Sequence, residues 1–438
     1  MAKIYLDQAS TSYPKAPSVA QAVYDYLNGS AVNVNRGGYQ AAYSVEEQIF
    51  ETREQLLRLF HFTSGKGKNV IFTPNITTSL NILLKGLLKS GDHVLVSSME
   101  HNAVMRPLVQ LTRHGVTFDR IPCSADGSLL IEKAEELLKP NTRLLVCLHA
   151  SNVCGTIMPV QELGKFCKKH GLLFILDTAQ TAGTVPIDME ALQLDALAFT
   201  GHKGLRGPQG TGGFLIRNEL ASQIEPLLSG GTGSVSHTEE VPSFLPDRFE
   251  PGTPNIPGIL GLHAALCDLE QTDMGKLHQH ELELTQYFIN GLMQMDPSES
   301  TLRAIGKHNT IERTSVVSVQ TLQTDMARVA YVMNEIMGRV GLSGKAFLPM
   351  LLGFGCTVPA VMATRALATE RDRRRTILIT PFMSCSARLP IYVLFAEMFF
   401  KEHAMLAAYS LYVIGLIVAI TIAFILHKHE KNKDEDTL

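Results

Sequence analysis

A lysine, a carboxylate and a pair of hydroxyl groups stand where short apolar runs of this sequence end. Asp177 directly follows one such run, and Lys203 follows the next within a glycine-rich stretch. Thr77 and Thr78 follow an earlier run and open a helical pattern. Hydroxyls and free backbone N–H groups at the start of a helix suit a phosphate group. A lysine amine, a partner for a ring nitrogen and a phosphate cradle are together what pyridoxal phosphate requires, and the sequence predicts that cofactor.

Each of these residues also has an ordinary structural interpretation. Asp177 suits the N-cap of a helix, Thr77 suits another cap, and Lys203 suits a solvated loop. Taken singly, each residue fits either interpretation. A mononucleotide-binding P-loop is excluded as the alternative phosphate site, because Gly344-Lys345 is followed by Ala346 rather than Ser or Thr.

The elements that must position these residues alternate between two patterns. Apolar and β-branched runs predict strands at 70–73, 94–97, 144–148, 172–176, 196–199 and 213–216. Apolar residues at helical spacing predict helices at 78–88, 103–113, 131–138 and 160–170. Strands that alternate with helices indicate an α/β fold with a mostly parallel sheet covered on both faces. Ligands of such sheets bind beyond the carboxyl ends of the strands, where the lysine and the carboxylate stand.

The composition of the 438-residue chain excludes several classes of protein. Hydrophobic residues make up 45% of it and charged residues 18%, which excludes a disordered chain and a coiled coil. A net charge of −3 argues against a nucleic-acid partner, and seven scattered cysteines argue against a disulfide scaffold. The first residues carry no long apolar core, so no secretory signal peptide is expected.

Charge is distributed unevenly along the chain. Residues 1–345 hold 29 basic and 34 acidic side chains, whereas residues 346–438 hold 10 and 8. The segment 404–426 has no charged residue and is long enough to span a bilayer as a helix. Two further apolar stretches, 376–400 and 346–364, are possible spans, although prolines and glycines interrupt the second. The alternative for all three is a helix buried in a protein core.

From Tyr5 to about Tyr331 the sequence resembles the cysteine desulfurases of the class V aminotransferase fold. The resemblance rests on an opening motif and six further motifs in order: YLDQAST at 5–11, NRGG at 35–38, EHN at 100–102, SNVCG at 151–155, DTAQ at 177–180, TGHK at 200–203 and GTPN at 252–255. It implies fold type I of the pyridoxal-phosphate-dependent transferases, with a large cofactor domain at about 15–260. A smaller domain would comprise the N-terminal segment and residues from about 261 onward, and it would be truncated.

The resemblance also implies a role for each motif residue. Lys203 would bind the cofactor covalently and later move a proton, and Asp177 would keep the pyridine nitrogen protonated. His101 would stack on the ring and assist proton transfer. Gln180 and Asn152 would bond the ring oxygen or orient the substrate. The phosphate would be held by Thr77, Thr78, Thr200 and His202, and Thr253 would reach the phosphate of a second subunit, which implies a homodimer.

One residue that the resemblance requires is missing. In such enzymes L-cysteine is the substrate, a protein thiolate attacks its sulfur, and alanine and an enzyme-bound persulfide are the products. Here Gly344 stands where the nucleophilic cysteine is expected. Cys154, which lies near Asn152, is a weak substitute. We therefore expect impaired turnover.

The remainder of the chain, from about Met326, resembles the gate region of ferrous iron transport protein B. Two stretches, GFGCTVP around Cys356 and PFMSCSARLP around Cys385, carry this resemblance. Soft thiolates bind transition metals, so these cysteines are candidate Fe(II) ligands, and packing between helices is the equal alternative.

The sequence thus predicts two regions, 1–330 and 331–438. The first is a desulfurase-like cofactor region, expected in the cytoplasm. The second is a membrane fragment that contacts lipid and tethers the whole chain. The two alternatives to an impaired enzyme are a membrane Fe(II) transport component and a non-functional chimera, because the junction lacks a linker and cuts through the small domain.

Overall fold

The structure is a computed structural model. It describes residues 5–322 apart from 30, 35–38, 236 and 301, together with separate stretches between 361 and 426. The chain divides into two compact units, Met1–Gln320 and Thr321–Leu438. The first unit contains every residue to which the sequence assigns pyridoxal phosphate.

A seven-stranded sheet forms the centre of the first unit. Its strands, in chain order, are β1 Val70–Thr73, β2 His93–Ser97, β3 Thr117–Ile121, β4 Thr142–Leu148, β5 Leu173–Asp177, β6 Ala196–Thr200 and β7 Gly212–Ile216. The spatial order is β1-β7-β6-β5-β4-β2-β3. Strands β2 to β6 pair in parallel, and β7 is antiparallel to both of its neighbours. The predicted α/β class with a mostly parallel sheet is therefore confirmed.

Helices of the first unit cover the sheet or extend beyond it. They are α1 Pro17–Gly29, α2 Gln40–Leu59, α3 Ile76–Leu87, α4 Asn102–Thr112, α5 Lys133–Glu136, α6 Val160–His170, α7 Asn218–Ala221, α8 Ile256–Glu270 and α9 Met274–Met295. The helix predicted at 131–138 is only the single turn of α5, because its flanking residues adopt turns. A two-stranded sheet, β8 Leu302–Ile305 with β9 Ser318–Thr321, follows α9.

Two apolar cores lie against the sheet. Successive residues of a strand point to opposite faces, so neighbours such as Leu144 and Leu145 on β4 belong to different cores. Helices α2, α6 and α8 contribute to the core that contains Leu145, and α3 and α4 contribute to the core that contains Leu144. Because apolar helices bury both faces, polar groups remain at the strand ends, where a ligand can bind.

The described part of the second unit contains two longer helices, α10 Glu370–Ile379 and α11 Leu389–Phe400. No helix within the described stretches is both long and apolar enough to cross a membrane. The predicted span 376–400 includes the end of α10 and all of α11. Most of 346–364 and about half of 404–426 lie outside the described residues. Gly344, Cys356 and Cys385 also lie outside them. The three spans, the boundary at 330 and the candidate Fe(II) ligands stay predictions.

Candidate active site

One edge of the large sheet collects the predicted site residues. Parallel strands place their carboxyl ends on the same side, so the residues after β2, β4, β5 and β6 meet there. The antiparallel strand β7 begins at this edge with Gly212, which pairs with Thr200 at the end of β6. A Cβ added to Gly212 would lie 2.8 Å from the Cα of Asn75, so a glycine is needed for the close approach to the start of α3.

Asp177 is buried at this edge, and the half-buried Lys203 interacts with its charge. Asp177 is 4% exposed, and its Oδ1 accepts a hydrogen bond from Ala179 N–H at 2.9 Å. Burial raises the pKa of Asp177, while the Ala179 N–H and the charges of His101 and Lys203 oppose that rise. Burial lowers the pKa of Lys203 and Asp177 opposes it, which favours a larger fraction of neutral, nucleophilic amine.

Two polar atoms near Lys203 are buried and have no hydrogen-bond partner among the described residues. They are the Thr200 hydroxyl and the Nδ1 atom of His202. Burial and the charges of Lys203 and Lys15 lower the pKa of the His202 imidazole. A buried hydroxyl and a buried ring nitrogen without partners cost free energy unless a ligand satisfies them, so this pair fits an anionic group.

Thr77 and Thr78 lie in the first turn of α3. The N-cap of this helix is Asn75, whose Oδ1 accepts from the Thr78 N–H at 2.9 Å and from the Thr78 hydroxyl at 3.2 Å. Thr78 and Thr253 of the same chain line a cavity of about 190 Å³. A single chain does not test whether Thr253 reaches the phosphate site of a second copy, and that stays a prediction.

A carboxylate that lines the same cavity is neutralised by a buried arginine. Glu250 accepts two hydrogen bonds from Arg53, at 2.9 and 2.8 Å, and a third from the backbone N–H of Phe72 at 2.6 Å. Arg53 is 8% exposed. Because the pair is bidentate and buried, Glu250 contributes little negative potential against an anionic ligand.

His101 caps the helix after β2. Its Nδ1 accepts from the Ala103 N–H at 3.1 Å, which assigns the remaining proton of a neutral ring to Nε2. The positive charge of His101, when the ring is protonated, lowers the pKa of Asp177. His101 therefore belongs to the same electrostatic cluster as Asp177 and Lys203.

Asn152 and Gln180 follow β4 and β5 respectively. Asn152 is exposed in a turn whose backbone is fixed by Ser151, because the Ser151 hydroxyl accepts from the N–H groups of Val153 and Cys154. The half-buried Gln180 donates from Nε2 to the carbonyl of Ala9 at 3.4 Å. The site roles of both residues stay predictions.

The sequence did not single out two buried groups at this edge. Glu100 buries its carboxyl, whose Oε1 accepts from the Ser97 hydroxyl and the Leu148 N–H. His149 is 3% exposed, bonds Thr181 through Nδ1 at 3.0 Å, and has its pKa lowered by burial to about 4. The EHN motif contained a signal for Glu100, but its burial depends on β4, which follows some forty residues later.

Four of the five described cysteines, Cys123, Cys147, Cys154 and Cys167, do not resemble an active nucleophile. Burial raises the pKa of Cys123, Cys147 and Cys167, which disfavours the reactive thiolate. Cys154 is 1% exposed, and its thiol points to the Thr156 hydroxyl. Its burial therefore argues against the substitute role. Within the described stretches no cluster of three His, Cys, Asp or Glu side chains is arranged to hold a metal ion.

The donor set fits pyridoxal phosphate. A buried carboxylate at Asp177 suits a protonated ring nitrogen, and the Lys203 amine suits a covalent link to the aldehyde carbon. The unpartnered atoms of Thr200 and His202 suit the phosphate, together with the first turn of α3.

Comparisons with known proteins agree with this assignment. The family described as aminotransferase class-V matches residues 4–364. A probable cysteine desulfurase of Halalkalibacterium halodurans is 33% identical over 300 residues, which are 67% of this chain and 73% of that protein. Another from Pyrococcus abyssi is 33% identical over 347 residues, 77% of this chain and 84% of that protein.

A solved structure supports the same relationship. The apo structure of a cysteine desulfurase from Thermococcus onnurineus NA1 has a TM-score of 0.66 and 30% sequence identity. The similarity covers 76% of this chain and 82% of that chain. The fold of the first unit is therefore shared with enzymes of this kind.

Proposed function

Because the chain belongs to the class V aminotransferase family and is a pyridoxal-phosphate-dependent enzyme, we propose that it acts on L-cysteine as a cysteine desulfurase-like enzyme. The observation that carries this proposal is the electrostatic interaction of the buried Asp177 with the half-buried Lys203 at the carboxyl edge of the sheet. Relatives named cysteine desulfurase support the substrate.

Each residue has a defined task in this reaction. Bound pyridoxal phosphate supplies an electron sink for the electron pair left at the substrate α carbon. Lys203 would hold the cofactor through its amine and would move a proton at the substrate carbons. Asp177 keeps the proton on the ring nitrogen, and His101 offers Nε2 as a second proton carrier. Thr77, Thr78, Thr200 and His202 hold the phosphate.

Sulfur transfer needs a thiol that this chain does not provide in the usual place. The substrate C–S bond breaks when a thiolate attacks the sulfur, so that a persulfide forms and the carbon takes a proton to give alanine. Gly344 replaces the expected nucleophile. The buried, raised-pKa thiols of Cys147 and Cys167 are poor substitutes. We therefore infer that turnover is impaired and depends on an external thiol.

The cofactor assignment is tested by visible absorption. The purified protein is expected to carry a visible band from the lysine-bound cofactor, and Lys203→Ala is expected to abolish it. Lys68→Ala, at an exposed lysine outside the site, is the matched control and should keep the band. An unchanged band in Lys203→Ala would refute the assignment.

The sulfur-transfer proposal is tested on the same preparation. With L-cysteine supplied at one equivalent per site and no other thiol, little alanine should be released, and no protein persulfide should be trapped by alkylation. A small thiol should restore alanine release. Abundant persulfide on the protein without added thiol would show that one of its own cysteines acts as the nucleophile.

Assembly and location complete the proposal. We infer a homodimer, in which Thr253 of the GTPN motif contributes to the phosphate site of the second copy, as the resemblance of that motif implies. We also infer that the second unit associates with a membrane while the first stays in the cytoplasm. In its support, α11 exposes Phe395, Met398, Phe399 and Phe400, and residues 404–426 carry no charge.

A further inference from the structure

Four donors from the N-terminal segment converge on one backbone carbonyl, that of His202. The Ser12 N–H donates to it at 3.0 Å, the Thr11 and Ser12 hydroxyls both at 3.1 Å, and the Lys15 ammonium at 2.9 Å. Lys15 also donates to the Ser12 hydroxyl at 2.6 Å. We name residues 7–15 the N-terminal strap. Its contacts with His202 join residues more than 180 positions apart in sequence.

The carbonyl that the strap binds belongs to the peptide bond between His202 and Lys203. This peptide lies in the loop between β6 and β7, which is also held by its own backbone. The Gly201 N–H donates to the Thr211 carbonyl, the Gly207 N–H to the Gly201 carbonyl and the Arg206 N–H to the Lys203 carbonyl. The strap is therefore the external restraint on the peptide that carries the cofactor lysine.

The strap is held at a second point next to the cofactor carboxylate. Gln180, three residues after Asp177, donates to the carbonyl of Ala9. The strap thus contacts both the Asp177 turn and the Lys203 loop. A segment attached at both points can fix the spacing between the two groups.

Lys15 is the charged residue of this contact. It is half-buried, and burial lowers its pKa to about 8, so it is mostly charged at neutral pH. Among the described residues, Asp177 from β5 acts on the charge of Lys203, Lys15 from the strap acts on His202, and Glu281 from α9 acts on Arg206. His101, at the start of α4, acts on Asp177. Lys15 is the cation among them that contacts the peptide before Lys203.

We propose that Lys15 is a positioning residue, which fixes the His202–Lys203 peptide through its hydrogen bond and discourages protonation of the lysine-bound cofactor through its charge. This inference rests on the proposed role of Lys203. It assigns the strap a function in tuning the cofactor rather than in binding it.

The test compares Lys15→Met, Lys15→Gln and Lys15→Arg in the cofactor-loaded full chain. The measured quantity is the pH midpoint at which the visible band titrates. Loss of a nearby positive charge lets the lysine-bound nitrogen keep its proton to a higher pH. Lys15→Met and Lys15→Gln should therefore each raise the midpoint by about 0.5 to 1 pH unit. Arg keeps the charge and should restore the wild-type midpoint to within about 0.2 units.

The Gln variant and a second measurement separate charge from folding. Gln retains an N–H donor for the His202 carbonyl, so it should lose the charge effect and keep more of the anchoring than Met. Thermal unfolding and limited proteolysis of the cofactor-free protein report strap docking without activity. Cleavage near residues 7–15 should be several-fold faster in Met than in Gln or Arg.

Two results would overturn the proposal. One is a pH midpoint in both Lys15→Met and Lys15→Gln that equals the midpoint of the wild type and of Lys68→Met, the control at an exposed site. The other is an equal shift in Arg. Neither would affect the cofactor assignment, which fails only if Lys203→Ala retains the visible band.

Discussion

Glu100 is a carboxyl group whose protonation the fold controls directly. Its Oε1 is bonded by Ser97 and by the Leu148 N–H, whereas its buried Oε2 has no partner among the described residues. Burial, with a further contribution from the charge of Asp177, raises its pKa from 4.5 to about 8. At neutral pH a large share of Glu100 is therefore the neutral acid.

This raised pKa makes stability depend on pH in a defined direction. Between about pH 4.5 and pH 8 the folded state keeps a proton that the unfolded state has lost, so stability falls as pH rises through this window and levels off above it. Glu100→Gln keeps an acceptor for Leu148 and removes the titration. This substitution should reduce the slope of the free energy of unfolding against pH in this window by up to about 1.4 kcal/mol per pH unit.

Urea unfolding of the cofactor-free protein at several pH values measures the effect. Glu47→Gln, at an exposed site, is the control and should leave the profile unchanged. A slope in Glu100→Gln equal to that of the wild type would show that the carboxyl titrates normally.

Residues at strand ends were predictable from sequence, and residues that depend on distant contacts were not. Asp177 and Lys203 follow apolar runs, so the edge of the sheet that they occupy follows from topology alone. The burial of Glu100 requires β4, and the role of Lys15 requires the carbonyl of His202. Neither contact has a local pattern, because the partners are 48 and 187 residues away.

At the scale of elements, the loop after β4 is held by a segment that precedes β9. Thr314 N–H donates to Gly155 at 2.7 Å, Ile157 N–H donates to Glu312 at 2.9 Å, and the Ser318 hydroxyl donates to Val153 at 2.6 Å. These bonds fix the backbone that carries Asn152. The 312–318 segment therefore supports the predicted site from residues that follow α9.

Arg313 is the buried centre of this contact. It is 1% exposed and donates to the carbonyls of Thr314, Val316, Lys307 and Cys154. Arg313→Met leaves these carbonyls without their donor, so it should reduce the free energy of unfolding by about 2 to 4 kcal/mol. Urea unfolding checks the value, with the exposed Arg303→Met as the control that should change stability little.

A lysine at the same position refines the prediction. Arg313→Lys keeps a charge but has three donors on one nitrogen, so it should recover only part of the loss. A full-stability Arg313→Met protein would mean that the desolvation cost of the buried guanidinium equals its hydrogen bonding.

The accuracy of the predicted elements followed the strength of their apolar patterns. The helix predicted at 160–170 has the observed bounds of α6, and the strand 70–73 those of β1. No sequence pattern predicted β3, because Thr117–Ile121 lies at the sheet edge and mixes polar with apolar residues rather than forming an apolar run. The strand conformation of β3 depends on its pairing with β2, which a local sequence pattern does not show.

At the scale of the whole molecule, the chain joins two parts of different composition. Residues 1–345 carry a net charge of −5 and contain the cofactor site, whereas 404–426 has no charge. Arginines cluster between 365 and 375, ahead of α11 in the sequence, and α11 exposes large apolar side chains. A cationic cluster next to apolar side chains favours an anionic membrane surface.

This separation predicts that cofactor binding and membrane binding can be removed independently. All residues assigned to pyridoxal phosphate lie before Gln320, so a chain that ends there should retain the visible band of the full chain. The full chain should float with vesicles of phosphatidylcholine and phosphatidylglycerol, and the shortened chain should not. If the full chain fails to float, the membrane proposal is wrong. If the shortened chain folds but loses its band, the cofactor site requires residues beyond 320, as a family match that extends to residue 364 allows.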